Sequence, residues 1–155
     1  MTETDSSPWP TATPDPALKR FEILIGKWEL KGHTLASKEN NITGWSTFEW
    51  MPGGFFLKTE GEINFMGFRM QSLEIIAYDP IRKRFPSTVY SSMSGEVFSY
   101  EWDIQGNTLI HSGLGARYTG TISPDGNTIT GGWRPDEGTP VSDGNAYDAV
   151  MVRVR

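Results

Sequence analysis

Ile25-Gly26-Lys27-Trp28-Glu29-Leu30-Lys31-Gly32 decides how this chain is read. Trp28 and Leu30 point one way and Lys27, Glu29 and Lys31 the other, the alternation of a strand with one buried and one solvated face. A short apolar segment precedes the stretch, and strand after strand follows it, each ended by glycine-bearing turn residues. The reading is a small closed β-barrel.

Upstream, Asp15-Pro16 is a helix start, with a capping carboxylate and a proline in the first turn where its missing donor is harmless. Leu18, Phe21, Leu24 and Ile25 then form an apolar stripe that Gly26 ends, so a short helix is expected to close one barrel end. Residues 1–14 are rich in Pro, Ser and Thr and are read as a mobile tail in which Trp9 is the lone aromatic side chain. The single folded domain is expected over 15–155.

Downstream, a second strand runs from about Ile42 to Met51, and Pro52-Gly53-Gly54 reverses it. In the third, Phe55, Leu57, Thr59, Gly61, Ile63 and Phe65 alternate with a charged face. Further strands are expected over Phe68–Tyr78, Phe85–Ser91, Glu96–Ile104, Thr108–Ser112, Arg117–Ser123, Thr128–Arg134 and Asn145–Val154. About nine or ten strands joined by short turns make an antiparallel up-and-down meander, which either packs as a sandwich or closes on itself. A plug helix and a first-strand tryptophan favour closure.

Composition narrows the function classes. The 155 residues include no cysteine, so disulfides, zinc–thiolate sites and thiol nucleophiles are excluded. A formal net charge of −5 argues against nucleic acid or an anionic membrane as partner. No apolar run is long enough to span a bilayer, and the acidic start lacks the pattern of a secretion signal, so a cytoplasmic address is expected.

Many aromatic side chains in a small barrel point to a pocket with flat apolar walls. The expected lining is Phe55, Leu57, Phe98, Tyr100 and Trp102, with Trp28 and Leu30 nearer one end and Trp133 joining them. Tyr147 and Arg153 share a face of the last strand, where they would orient a polar ligand head or, for Arg153, stack on Trp28 as a latch. Glu74 is expected to point outward beside inward Leu73 and Ile75; turned inward, it would be a candidate acid, base or ligand anchor. His111 reads as scaffold unless it faces the interior. Asp125-Gly126-Asn127 and Asp143-Gly144-Asn145 read as turns rather than calcium loops.

Gly26-Lys27-Trp28, the meander and the terminal arginines resemble the calycin superfamily of lipocalins and fatty-acid-binding proteins, in which the tryptophan packs across the closed barrel end beneath an arginine. Trp50-Met51-Pro52-Gly53-Gly54-Phe55, Ala77-Tyr78-Asp79-Pro80 and the Ser123–Trp133 segment are similar to a family of small bacterial lipocalin-like proteins of unknown function. The resemblance implies a calycin barrel and carries no activity. Fatty-acid-binding proteins would imply a carboxylate held by an arginine and a tyrosine two apart, where Tyr147 and Arg153 are six apart. Nitrobindins, more distant relatives, would imply haem on a late histidine, and only His111 is available for it. No cofactor is otherwise expected. The leading expectation is therefore a non-enzymatic binder of a small hydrophobic or amphipathic molecule. The alternatives are an isomerase- or hydrolase-type enzyme using Glu74 or His111, and a filled barrel that dimerises through a sheet edge or the Trp9 segment.

Overall fold

The computed structural model describes residues 8–9 and 12–155, so most of the segment read as a tail lies outside the described residues. Ten antiparallel strands form one closed barrel: β1 (Gly26–Thr34), β2 (Ile42–Trp50), β3 (Leu57–Phe65), β4 (Phe68–Ile76), β5 (Phe85–Ser91), β6 (Val97–Gln105), β7 (Thr108–Gly113), β8 (Ala116–Ile122), β9 (Thr128–Pro135) and β10 (Tyr147–Arg153). Each strand pairs with its sequence neighbours, and β1 with β10 completes the ring. Every strand is paired on both sides, so the closed ring leaves no unpaired edge strand.

Tight turns set the register, and the register decides which side chains face inward. Met66-Gly67 links β3 to β4 and Leu114-Gly115 links β7 to β8, with left-handed φ at all four residues (54°, 92°, 52° and 78°) as a twisted hairpin demands. The first turn pairs Phe65 with Phe68, and hence Thr59 with Glu74. The second pairs Gly113 with Ala116, and hence His111 with Tyr118.

The N-terminal helix spans Pro16–Leu24 and is 3₁₀ throughout. Asp15 caps it, its carboxylate accepting from the Ala17 amide at 2.9 Å. Leu18, Phe21 and Leu24 are three residues apart, the spacing that aligns side chains on a 3₁₀ helix, and all three are buried. The tighter winding leaves Ile25, expected on the same stripe, as the half-buried residue that ends the helix. Phe21 meets Phe85 edge-on with ring centroids 4.7 Å apart.

This helix seals the barrel floor. Trp28 is wholly buried there and donates its indole N–H to the Leu24 carbonyl at 2.8 Å. The Arg153 guanidinium, directly across from Trp28 in the β1–β10 pairing, lies 4.3 Å over the indole ring. It also donates to the carbonyls of Ile23, Ile25 and Gly126 and to the Asn127 side chain. Gly26 has φ +125°, and a Cβ there would lie 3.1 Å from Arg153 Nη1. The Gly-x-Trp therefore exists because the glycine gives the arginine room to cover the tryptophan. Leu57, Ile76, Phe85, Leu109 and Ile129 fill the floor around them.

Candidate functional site in the barrel lumen

Above the floor the inward side chains change character. The expectation that Glu74 points outward is overturned: it is buried with 7% of its surface exposed, while Leu73 and Ile75 are only half-buried. The hydrophobicity of Leu73 and Ile75 misleads because β4 is bound in register to β3, whose Leu57 and Thr59 are both buried.

Three donors from three other strands meet the Glu74 carboxylate at the same oxygen, Oε2. Ser87 Oγ on β5 donates at 2.5 Å and Trp102 Nε1 on β6 at 2.7 Å. His111 Nε2 on β7 lies at 3.2 Å. Burial works to raise the Glu74 pKa, but the attraction of His111 and the hydrogen bonds from His111, Ser87 and Trp102 outweigh it and hold the group below its ordinary value. An ionised carboxylate can only accept, so His111 carries its proton on Nε2 in this bond. Oε1 takes no hydrogen bond from any described residue.

His111 is fixed further by rings. It stacks on Trp102 at 3.8 Å and 21°, and its centroid lies 5.0 Å from Tyr100 and 5.1 Å from Trp133. Direct cross-strand pairing extends this arrangement into a row around the wall: Trp102 faces His111, His111 faces Tyr118, Tyr118 faces Trp133, and Trp133 faces Tyr147. The Tyr118 hydroxyl is buried and finds no hydrogen-bond partner among the described residues. Burial pushes the phenols of Tyr118, Tyr147 and Tyr100 upward; the Glu74 charge adds to the rise at Tyr100.

The residues expected to line a pocket are distributed by this geometry. Tyr100, Trp102, Trp133 and Tyr147 come together in the aromatic wall, and Phe98 stands two residues from Tyr100 on the same face of β6. Leu30 alternates inward above Trp28 and is half-buried, whereas Trp28, Leu57 and Arg153 belong to the floor. Phe55 precedes β3 and lies outside the barrel. It borders a surface groove of about 450 Å³ with Pro14, Leu18, Phe56 and Tyr78. Arg153 is occupied by backbone carbonyls and Trp28, so the latch reading describes its contacts. Ser87 and Tyr118 were not singled out by the sequence, although the Leu114-Gly115 hairpin places Tyr118 opposite His111.

Haem does not fit His111 as it stands. Its Nε2 is taken by Glu74, one ring face is covered by Trp102, and Tyr100 and Trp133 close in from the sides. Among the described residues there is also no group of three or more His, Asp or Glu placed to hold a metal ion, and no helix is long and apolar enough to cross a membrane.

The fold is similar to the crystal structure of Rv2717c from M. tuberculosis, with a TM-score of 0.58 at 14% identity, covering 92% of this chain and 99% of that one. At that identity the likeness concerns the fold. No curated protein matches the chain. A family model, described as a protein of unknown function (DUF1579), matches residues 13–134, the helix and all of β1 to β8 and most of β9, and the chain belongs to that family.

Proposed function

We propose that this protein is a calycin-like barrel that binds a small hydrophobic or amphipathic molecule in the half of its lumen lined by the aromatic wall. One observation carries the reading: the floor is packed solid, while the wall above it is accessible. Trp28, Leu57 and Ile129 have no exposed surface, yet the His111 side chain is 16% accessible and Tyr100, Trp133 and Tyr147 are half-buried. Surface of that kind on inward-facing side chains requires space into which water, or a ligand, can enter. A cysteine-free acidic chain suits a cytoplasmic carrier or sensor.

Native mass spectrometry of protein purified without denaturation, followed by solvent extraction, tests the proposal. A stoichiometric small molecule released from wild type and lost from Trp133→Ala is the expected result. An apo mass, together with no change in tryptophan fluorescence across a panel of aromatic and aliphatic compounds, would overturn it.

The Glu74–His111 hydrogen bond favours a second reading, an enzyme in which the carboxylate orients the imidazole as a general base. A screen of aryl esters and enolisable ketones tests it. Turnover abolished in both His111→Gln and Glu74→Gln supports catalysis by the pair; turnover that survives either substitution removes it.

A further inference from the structure

We propose that the lumen is selective for organic cations, specifically a protonated amine carried on or beside an aromatic or alkyl group, with its N–H donating to Glu74 Oε1. The inference rests on the binding reading above and gives the ligand its charge.

The argument begins with what faces inward. In the ten strands, Lys27, Lys31, Lys58, Arg69, Arg117 and Arg134 all alternate to the outer face. Arg153 alone turns in, and it lies at the floor with its guanidinium committed to three carbonyls, Asn127 and the Trp28 ring. No lysine or arginine among the described strand residues is therefore available to a ligand carboxylate. On the acidic side, Glu29, Glu49, Glu60, Glu62, Glu101, Asp103 and Asp148 alternate outward, and Glu74 is the acid that faces in.

The carboxylate itself is only half used. Ser87, Trp102 and His111 converge on Oε2, and Oε1 keeps its acceptor capacity. A carboxylate presents about four acceptor sites, so an additional donor is accommodated without displacing any protein bond. Around His111, which bonds to it, stand Tyr100 and Trp133, whose ring centroids are 6.4 Å apart in an edge-to-face arrangement. Aromatic faces attract cations through their quadrupole, more strongly where water is excluded. An anionic ligand would instead meet the Glu74 charge with no lysine or arginine beside it.

Three one-ring probes differing in the charge of their polar end test this: phenethylammonium, phenylethanol and phenylacetate, each titrated by calorimetry and by ligand-observed NMR at neutral pH. The expected order is ammonium over alcohol over carboxylate, with at least about a tenfold separation between the first and last, the size of a single desolvated cation–π or charge-assisted contact. In Glu74→Gln the preference should fall to about threefold or less, and binding of the alcohol, which can hydrogen-bond to either side chain but carries no charge, should change less than binding of the ammonium. Circular dichroism confirms that the variant is folded, and Ser87→Ala, which leaves the charge in place, should keep the preference. Alcohol and carboxylate binding as tightly as the ammonium, or a preference unchanged in Glu74→Gln, would overturn cation selectivity and leave the binding reading standing. If none of the three probes binds, cation selectivity is overturned, and the binding reading is decided by the extraction test above.

Discussion

His111 Nε2 lies 3.2 Å from Glu74 Oε2, although β4 and β7 are separated in the barrel by β5 and β6. The bond thus runs through the lumen rather than along the wall, and β5 and β6 contribute Ser87 and Trp102 to the same oxygen. Four consecutive strands are tied at one point.

Removing that point should be costly. Glu74→Ala leaves the donors of Ser87, Trp102 and His111 without their acceptor, and a loss of about 2–4 kcal/mol is expected in urea unfolding at neutral pH. Glu74→Gln keeps an acceptor oxygen and should lose less. Equal stability of Glu74→Ala and wild type would show that the network does not hold the strands.

The same carboxylate predicts a pH dependence. Its pKa is lowered on folding from an ordinary value of 4.5, so the unfolded chain binds the proton more readily. The stabilisation is therefore present above that value and is lost as pH falls through the lower, folded one. The stability gap between wild type and Glu74→Gln should narrow from neutral pH to strongly acid pH; a gap that widens on acidification would contradict this sign.

At the floor, Arg153→Lys should cost about 1–3 kcal/mol despite keeping its charge, because an ammonium cannot span several carbonyls while lying flat on an indole. Thermal denaturation monitored by tryptophan fluorescence reads the loss. Gly26→Ala should cost a similar amount, combining an unfavourable φ with a Cβ pressed on the guanidinium. In the double variant the two losses should be less than additive.

Tyr118→Phe removes a buried hydroxyl that has no partner among the described residues. Without ligand the variant should be as stable as wild type or up to about 1 kcal/mol more so. A large destabilisation in chemical unfolding would mean that the hydroxyl is bonded in solution.

Met66 and Leu114 occupy left-handed positions that suit Asn or Gly, and both are exposed, at 51% and 61%. Met66→Asn and Leu114→Asn should each stabilise the fold by about 0.5–1 kcal/mol, measured as a shift in urea midpoint at constant slope.

The barrel was legible in the sequence because it is written in short-range terms. Period-two alternation in β1 and β3, the turns at Pro52-Gly53-Gly54 and Asp125-Gly126-Asn127 and the apolar stripe from Leu18 to Ile25 each name their own element. Glu74 was misread because β4 alternates between two apolar faces, so composition alone assigns the carboxylate to water. The missing information was nevertheless present one turn away. A two-residue turn at Met66-Gly67 pairs Thr59 with Glu74, and Thr59 lies on the face already read as inward. The reading across the Gly106-Asn107 turn likewise sets His111 against Trp102. What could not be read locally is the convergence on Oε2, which depends on the curvature that brings non-neighbouring strands together. Phe55 failed for a different reason: alternation continued past the point where the Gly53-Gly54 turn, with φ of 93° and 78°, had ended the ladder.

The pairing of β1 with β10 makes closure of the ring a late event in synthesis of the barrel. Nine of the ten contacts in the ring join strands adjacent in sequence and can form as each hairpin emerges. The tenth waits for the last strand, whose Arg153 reaches back 128 residues to the Ile25 carbonyl. Until then the nascent chain is an open sheet with two bare margins and an uncovered tryptophan. During translation it is therefore in the interval before β10 clears the ribosome that the unpaired margins of β1 and β9 are open to mispairing.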